Sequence, residues 1–189
     1  MEYSRQIPLL ANDLEEGKLL LYPTETIWGI GCDATNELAV QKIKVLKKRT
    51  ADKSFILLVS NVEMLARYVQ YIPPKARNLI AYHQRPLTII YESPMHLPAA
   101  VLAEDGTVGI RVTLDPFCKD LIQSFNKPIV STSANVSGQP FPTSFDTIDT
   151  QIIKGVDRIA SHRQAEISDQ TPSVIVKVVD GEDLIFLRK

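Results

Sequence analysis

Apolar residues at Ile7, Leu10 and Leu14, with Gly17 beyond them, repeat at helical spacing and predict a short first helix. The stretch Lys18-Leu19-Leu20-Leu21-Tyr22 then reads as a strand stopped by Pro23. Asn36 is placed to cap a helix whose apolar face is Leu38, Val40, Ile43 and Leu46 and which ends near Arg49. The unbroken apolar run Phe55 to Ser60 has the pattern of a strand buried on both faces. Asn61 caps a further helix, Pro73-Pro74 opens another, and Leu87 to Tyr91 returns as a strand. Thr107 to Val112 predicts a strand, Asp115-Pro116 a helix start running to about Phe125, and Ile129 to Thr132 the next strand. Ser144 caps a helix to Lys154 that Gly155 ends, and Val174 to Val179 and Leu184 to Leu187 form a hairpin about Asp180-Gly181. Strands and helices alternate without repeat or linker, so the expected class is α/β with a mixed sheet in one domain spanning 1-189.

Composition narrows the class. Of 189 residues, 44% are hydrophobic and 23% charged, enough apolar content to build a core without covalent staples. Cys32 and Cys118 are far apart and form no CxxC pair, so both are expected as core thiols in a reducing compartment. The start of the chain lacks the basic opening and long apolar stretch of a signal peptide, and runs such as Phe55 to Val59 are too short to span a bilayer. A cytoplasmic protein with no membrane role is therefore expected. The formal net charge of −1 argues against a generally basic nucleic-acid binder. Charge is nonetheless uneven, with six basic residues and one acid, Asp52, between Lys42 and Lys53.

Three polar clusters fall where strands end or helices finish: Pro23-Thr24-Glu25-Thr26, Lys47-Lys48-Arg49 with Lys53, and Ser131-Thr132-Ser133-Ala134-Asn135. Open α/β sheets bind ligands at such ends. Each cluster also has a plainer account: basic residues suit a helix C-terminus, Ser, Thr, Asn and Gly make ordinary turns, and Thr24 and Thr26 satisfy backbone groups after a proline. Gly29-Ile30-Gly31-Cys32-Asp33-Ala34 matches GxGxxA, but Pro23 to Trp28 separates it from the strand and the next cap is Asn36, which argues against a dinucleotide fold. No Walker A sequence is present, and His83, His96 and His162 have no ligand spacing, so no protein-held metal is expected.

Taken together the clusters carry a family resemblance. YPTETIWGIGCDA (22–34), LKKRTADKSFILLV (46–59), VGIRV (108–112) and STSANVSG (131–138) follow the order and spacing of the YrdC-like threonylcarbamoyl-adenylate synthases. The resemblance runs from about Gly17 to Arg188, and its most specific parts are the KxR signature, Lys47 and Arg49, and the SxN signature, Ser133 and Asn135. It implies a YrdC-like fold, a twisted mixed sheet with flanking helices and a basic concave cavity. It also implies an adenylyl transfer in which L-threonine, bicarbonate and ATP give threonylcarbamoyl-AMP and pyrophosphate, for N6-threonylcarbamoyladenosine modification of tRNA by a downstream transfer machinery.

Such a site needs positive charge for the triphosphate, alignment of the attacking carbamate oxygen and shelter from water, with Mg²⁺ entering on ATP. Carried over by resemblance, Arg49, Lys53, Thr107, Ser133, Asn135, Phe141 and Arg188 would face ATP. Thr26, Lys47, Arg111, Ser131 and Ser173 would face threonine, Lys47 at its junction with the phosphates, and Lys47 and Arg49 would be the catalytic pair. Arg111 is assigned to the carboxylate because a guanidinium offers it two parallel hydrogen bonds; the plainer account is a strand-face ion pair. Residues two apart on a regular helix point to opposite sides, so Lys47 and Arg49 reach one ligand only if the helix ends between them.

The chain departs from the family at His83-Gln84-Arg85, where Trp-Pro-Gly is usual, at Leu58, where some longer members have histidine, at Trp28, where Tyr or Phe is usual, and at Lys177, a frequent aspartate position. Two readings compete with the synthase: a paralogue of the same fold with another activity, and a module whose basic patch, Lys42 to Lys53, binds tRNA or double-stranded RNA directly. Against the latter, no aromatic residues interleave the patch.

Overall fold

The computed structural model describes residues 2–49, 54–167 and 172–188. Lys53 lies outside the described residues. After a 3-10 turn at Glu2–Arg5, α1 (Ile7–Glu15) leads to β1 (Leu20–Tyr22), β2 (Gly29–Gly31) and α2 (Glu37–Lys47). Then come β3 (Ile56–Val59), α3 (Val62–Leu65), α4 (Pro74–Tyr82), β4 (Leu87–Tyr91), β5 (Val108–Val112) and α5 (Pro116–Phe125). The chain continues through β6 (Ile129–Ser133), α6 (Thr150–Gly155), β7 (Arg158–Ile159), β8 (Val174–Val179) and β9 (Asp183–Arg188).

Helix starts follow the sequence closely. Asn36, Asn61 and Asp115 each accept a hydrogen bond from a backbone N–H of the first turn, at 3.1, 2.7 and 2.9 Å, satisfying donors that a helix leaves open. The expected helix from Ser144 to Lys154 is instead two pieces. Ser144 and Thr147 form a capping box around a 3-10 turn at Phe145–Thr147, and Asp149 caps α6 through Gln151 N at 2.6 Å. A second good cap five residues downstream wins the longer helix, because Asp149 satisfies its first-turn amides directly.

The strands form one sheet in the order β7-β1-β2-β6-β3-β5-β4-β8-β9. Pairs β1/β7, β3/β5 and β4/β8 are parallel and the rest antiparallel, so the sheet is mixed. The hairpin β8–β9 turns through Asp180 (φ 51°) and Gly181 (φ 75°), as its sequence demands. α5 packs on β3, α1 on α5, and α2 against α6 and the turn Ala99–Val101. Leu10, Leu14, Phe117 and Leu121 are buried in the continuous core, each contributing about 2 kcal/mol of apolar burial.

Two strands escape the hydrophobic pattern, β2 and β7. β2 is Gly-Ile-Gly, inserted antiparallel between β1 and β6. A Cβ on Gly31 would lie 2.4 Å from the Val130 carbonyl oxygen and 2.6 Å from the Tyr22 ring. Tyr22 Oη donates to that same carbonyl at 3.0 Å. The glycine therefore lets a buried tyrosine cross beneath β2 and tie β1 to β6, which is what the GxG pattern does here.

Candidate functional site

A cavity of about 310 Å³ opens where the β1–β2 loop, the end of β6, the residues after α2 and the termini of β8 and β9 meet. Its walls carry Thr26, Arg49, Arg111, Ser131, Ser133, Phe141, Ser173 and Arg188, eight of the residues singled out from sequence. Thr24, Trp28, Gly29 and Ser54 complete much of the lining.

α2 does end at Lys47. Lys48 adopts a left-handed conformation (φ 51°), its N–H and that of Arg49 returning to the carbonyls of Val45 and Lys44. The two basic side chains then diverge. Lys47, 1% exposed, turns inward: its Nζ donates to the backbone oxygens of Ser133 and Asn135, the latter at 2.5 Å, and to Asn135 Oδ1 at 3.3 Å. Arg49 turns to the cavity wall, its Nη2 donating to Ser54 O at 2.5 Å and its guanidinium lying 4.6 Å from the centre of the Phe55 ring. Burial, reinforced by the charge of Arg49, lowers the Lys47 ammonium to about 7.

The SxN turn is held from the other side as well. Ser133 Oγ donates to Asn135 Oδ1 at 2.5 Å, Asn135 Nδ2 donates to Gln139 O at 2.6 Å, and Ser137 N returns to Lys47 O at 2.9 Å. Asn135 thus lies beside the main cavity, in an adjoining one of about 390 Å³ that shares Phe141 with it. Lys47 is absent from the lining of the main cavity; its ammonium is spent on the turn.

Opposite this corner a chain of polar contacts joins two arginines. Arg111, on β5, donates from Nε to Thr88 Oγ1 and from Nη1 to Glu25 Oε1, both at 3.3 Å. Thr88 donates to Ser173 Oγ at 3.2 Å, and Arg188 donates to Ser173 O at 2.8 Å and Oγ at 3.1 Å. Burial and the nearby charge of Arg111 lower the pKa of Arg188. The ion-pair account of Arg111 and its place on the cavity wall therefore both hold.

Thr24 serves its own loop, donating to Ile27 O at 2.7 Å and accepting from Thr26 N at 3.1 Å, which presents Thr26 to the cavity. Thr107 is set apart from the lining, its hydroxyl donating to Asp105 at 2.7 Å just before β5. His83-Gln84-Arg85, half-buried at His83 and exposed beyond it, is not part of the cavity lining, and Leu58 is buried in the core. Lys177 pairs with Asp105 at 3.0 Å. Both thiols are buried, and desolvation pushes Cys32 and Cys118 upward, as core cysteines. Glu25, Thr88 and Thr113 were not singled out individually from sequence; a lone threonine inside the apolar run Leu87-Thr88-Ile89 was the available signal.

Among the described residues no helix is long and apolar enough to cross a membrane, and no three His, Cys, Asp or Glu side chains gather as a metal site. A family model for Sua5, YciO and YrdC proteins, described as telomere recombination, matches residues 12–189. A threonylcarbamoyl-AMP synthase of Pseudoalteromonas translucida is 32% identical over 173 residues, covering 89% of this chain and 91% of that protein. One from Acinetobacter baumannii is 39% identical over 136 residues, 68% of this chain and 72% of that protein. Among solved structures, P. abyssi Sua5 complexed with L-threonine superposes with a TM-score of 0.87 at 29% identity, covering 97% of this chain. This chain spans 54% of that protein's length. E. coli YciO shares the fold, with a TM-score of 0.83 at 21% identity, covering 98% of this chain and 89% of that one. With matching motifs, matching fold and a family model across nearly its whole length, the chain belongs to the Sua5/YciO/YrdC family.

Proposed function

We propose that this protein is an enzyme that makes threonylcarbamoyl-AMP and pyrophosphate from L-threonine, bicarbonate and ATP, within the single domain seen in sequence. The observation that carries the reading is the junction of the two signatures. Lys47 bolts the end of α2 to the Ser133–Asn135 turn, and beside it the cavity gathers Arg49, Arg111 and Arg188 with the hydroxyls of Thr26, Ser131 and Ser133. Three guanidinium groups in one partly enclosed space suit a ligand set rich in negative charge, a triphosphate and a carboxylate. The relatives named as threonylcarbamoyl-AMP synthases and the Sua5 complex with threonine support threonine as a substrate and threonylcarbamoyl-AMP as the product.

In this reading the threonine amine, as the free base, adds to carbon dioxide with loss of a proton, or condenses with bicarbonate with loss of water, to give a carbamate. A carbamate oxygen then attacks the α-phosphorus of ATP, and pyrophosphate leaves. Arg49 and Arg188 would neutralise phosphate oxygens together with the Mg²⁺ that ATP carries, and Arg111 would hold the amino-acid carboxylate. Ser131 and Thr26 would orient the amino acid, and Ser173 fixes Arg188. Lys47 acts here by fixing the SxN turn at the cavity's edge. Product would pass to the machinery that modifies tRNA.

The test is pyrophosphate release by the purified protein with ATP, Mg²⁺ and bicarbonate, with and without L-threonine, following the adenylate by mass. Release that depends on threonine, with threonylcarbamoyl-AMP in the mixture, is expected. Arg49→Ala is expected to slow it about 10²-fold or more in a folded protein. A folded wild-type protein that binds ATP and releases no pyrophosphate would leave the paralogue of other activity as the reading.

A further inference from the structure

Arg111 does not sit on the cavity wall unaided. Its guanidinium meets one carboxylate, Glu25, with Nη1 and Oε1 3.3 Å apart and side chains 7% and 11% exposed. The other oxygen, Oε2, accepts from Thr113 Oγ1 at 3.0 Å. Thr113 is fully buried, so both oxygens of Glu25 are committed to β5 and the residue just beyond it. Glu25 itself comes from the β1–β2 loop, whose course is set by the hydrogen bonds of Thr24. A second basic group, Arg163, lines a smaller pocket of about 130 Å³ with Glu25 but is already paired with Asp115 at 2.6 Å. Glu25 is therefore assigned to Arg111.

The pairing has a geometric consequence. Thr88 takes the Nε proton of Arg111 and Glu25 an Nη1 proton, so the donors these two bonds do not use include both Nη2 protons of an arginine that lines the cavity. It also has an electrostatic one. Arg111, buried, and Arg188, at the exposed end of β9, are joined through Thr88 and Ser173, and the charge of Arg111 disfavours that of Arg188. Glu25 is the carboxylate that offsets one of them, and it does so from behind Arg111, outside the lining of the main cavity. Among the described residues the lining of the main cavity carries no acidic side chain that would hold a substrate amine as ammonium.

We propose that Glu25 is the positioning residue for amino-acid recognition: it fixes the angle and charge of Arg111 so that the guanidinium receives the substrate carboxylate end-on. The proposal rests on the assignment of Arg111 to the carboxylate of threonine. Glu25 touches neither substrate nor reacting atoms.

Steady-state kinetics of pyrophosphate release test it, with wild type, Glu25→Gln and Glu25→Asp, varying threonine and ATP separately. Glu25→Gln is expected to raise the KM for threonine about tenfold while the KM for ATP stays within about twofold. Glu25→Asp keeps the charge one methylene further away and is expected to raise the threonine KM about threefold. Inhibition by L-threoninamide, which lacks the anionic carboxylate, supplies a readout that simple loosening would not move. The preference for threonine over the amide should shrink about tenfold in Glu25→Gln. Equal threonine KM values and unchanged preference in the folded variants would overturn the proposal while the synthase reading stood. If Glu25→Gln does not fold, an unchanged threonine KM in Glu25→Asp overturns it alone. A wild type that releases no pyrophosphate with threonine overturns the synthase reading and this inference with it.

Discussion

Lys47 holds the SxN turn through one atom. Its Nζ faces three oxygens, a number that only an ammonium satisfies fully, while burial and Arg49 pull its pKa to about 7. An anion bound by Arg49 cancels part of that repulsion and raises the Lys47 pKa. The free protein then holds fewer protons than the complex at pH above about 7, so binding takes a proton up. ATP binding at about pH 8 is expected to take up a substantial fraction of a proton, falling toward zero below about pH 6. Calorimetric enthalpies in buffers of different ionisation enthalpy measure this directly, and Lys47→Met should abolish it. KxR and SxN were legible because both signatures occur intact in the chain. The division of labour between Lys47 and Arg49 was not, because it depends on Lys48 adopting a positive φ at the helix end.

Elements whose signal is local could be read in advance. Caps at Asn36, Asn61 and Asp115 sit one residue before their helices because their side chains satisfy amides of the first turn. β2 could not, since a three-residue strand with two glycines has no side-chain alternation and owes its conformation to β1 and β6 on either side. That dependence makes Gly31 the sensitive point of the element. Gly31→Ala is expected to cost about 2–3 kcal/mol, because backbone and a buried ring must both yield to one methyl. A denaturation midpoint compared with Gly29→Ala tests this, since a Cβ at Gly29 meets its nearest atom at 3.4 Å and should be tolerated better.

At the scale of the molecule, the cavity draws on residues from Thr24 to Arg188, brought together by a strand order that nothing in the linear pattern announces. Class and all strands but β2 and β7 were legible from apolar runs; the placing of β6 between β2 and β3 was not, because it arises from packing between distant segments. The two sheet edges also differ. β7 is two residues long, whereas β9 runs six residues with Ile185, Phe186 and Leu187 about half exposed. An edge strand with side chains this exposed is expected to open before the core does, and here it carries Arg188. Opening of β9 would dismantle the site without unfolding the protein, so a ligand gripping Arg188 is expected to clamp the strand as well. ATP at about 100 times its Kd should slow amide hydrogen exchange across β9 by up to about 10²-fold. The edge of the sheet thereby becomes a reporter of occupancy, readable by exchange mass spectrometry with no enzymatic turnover.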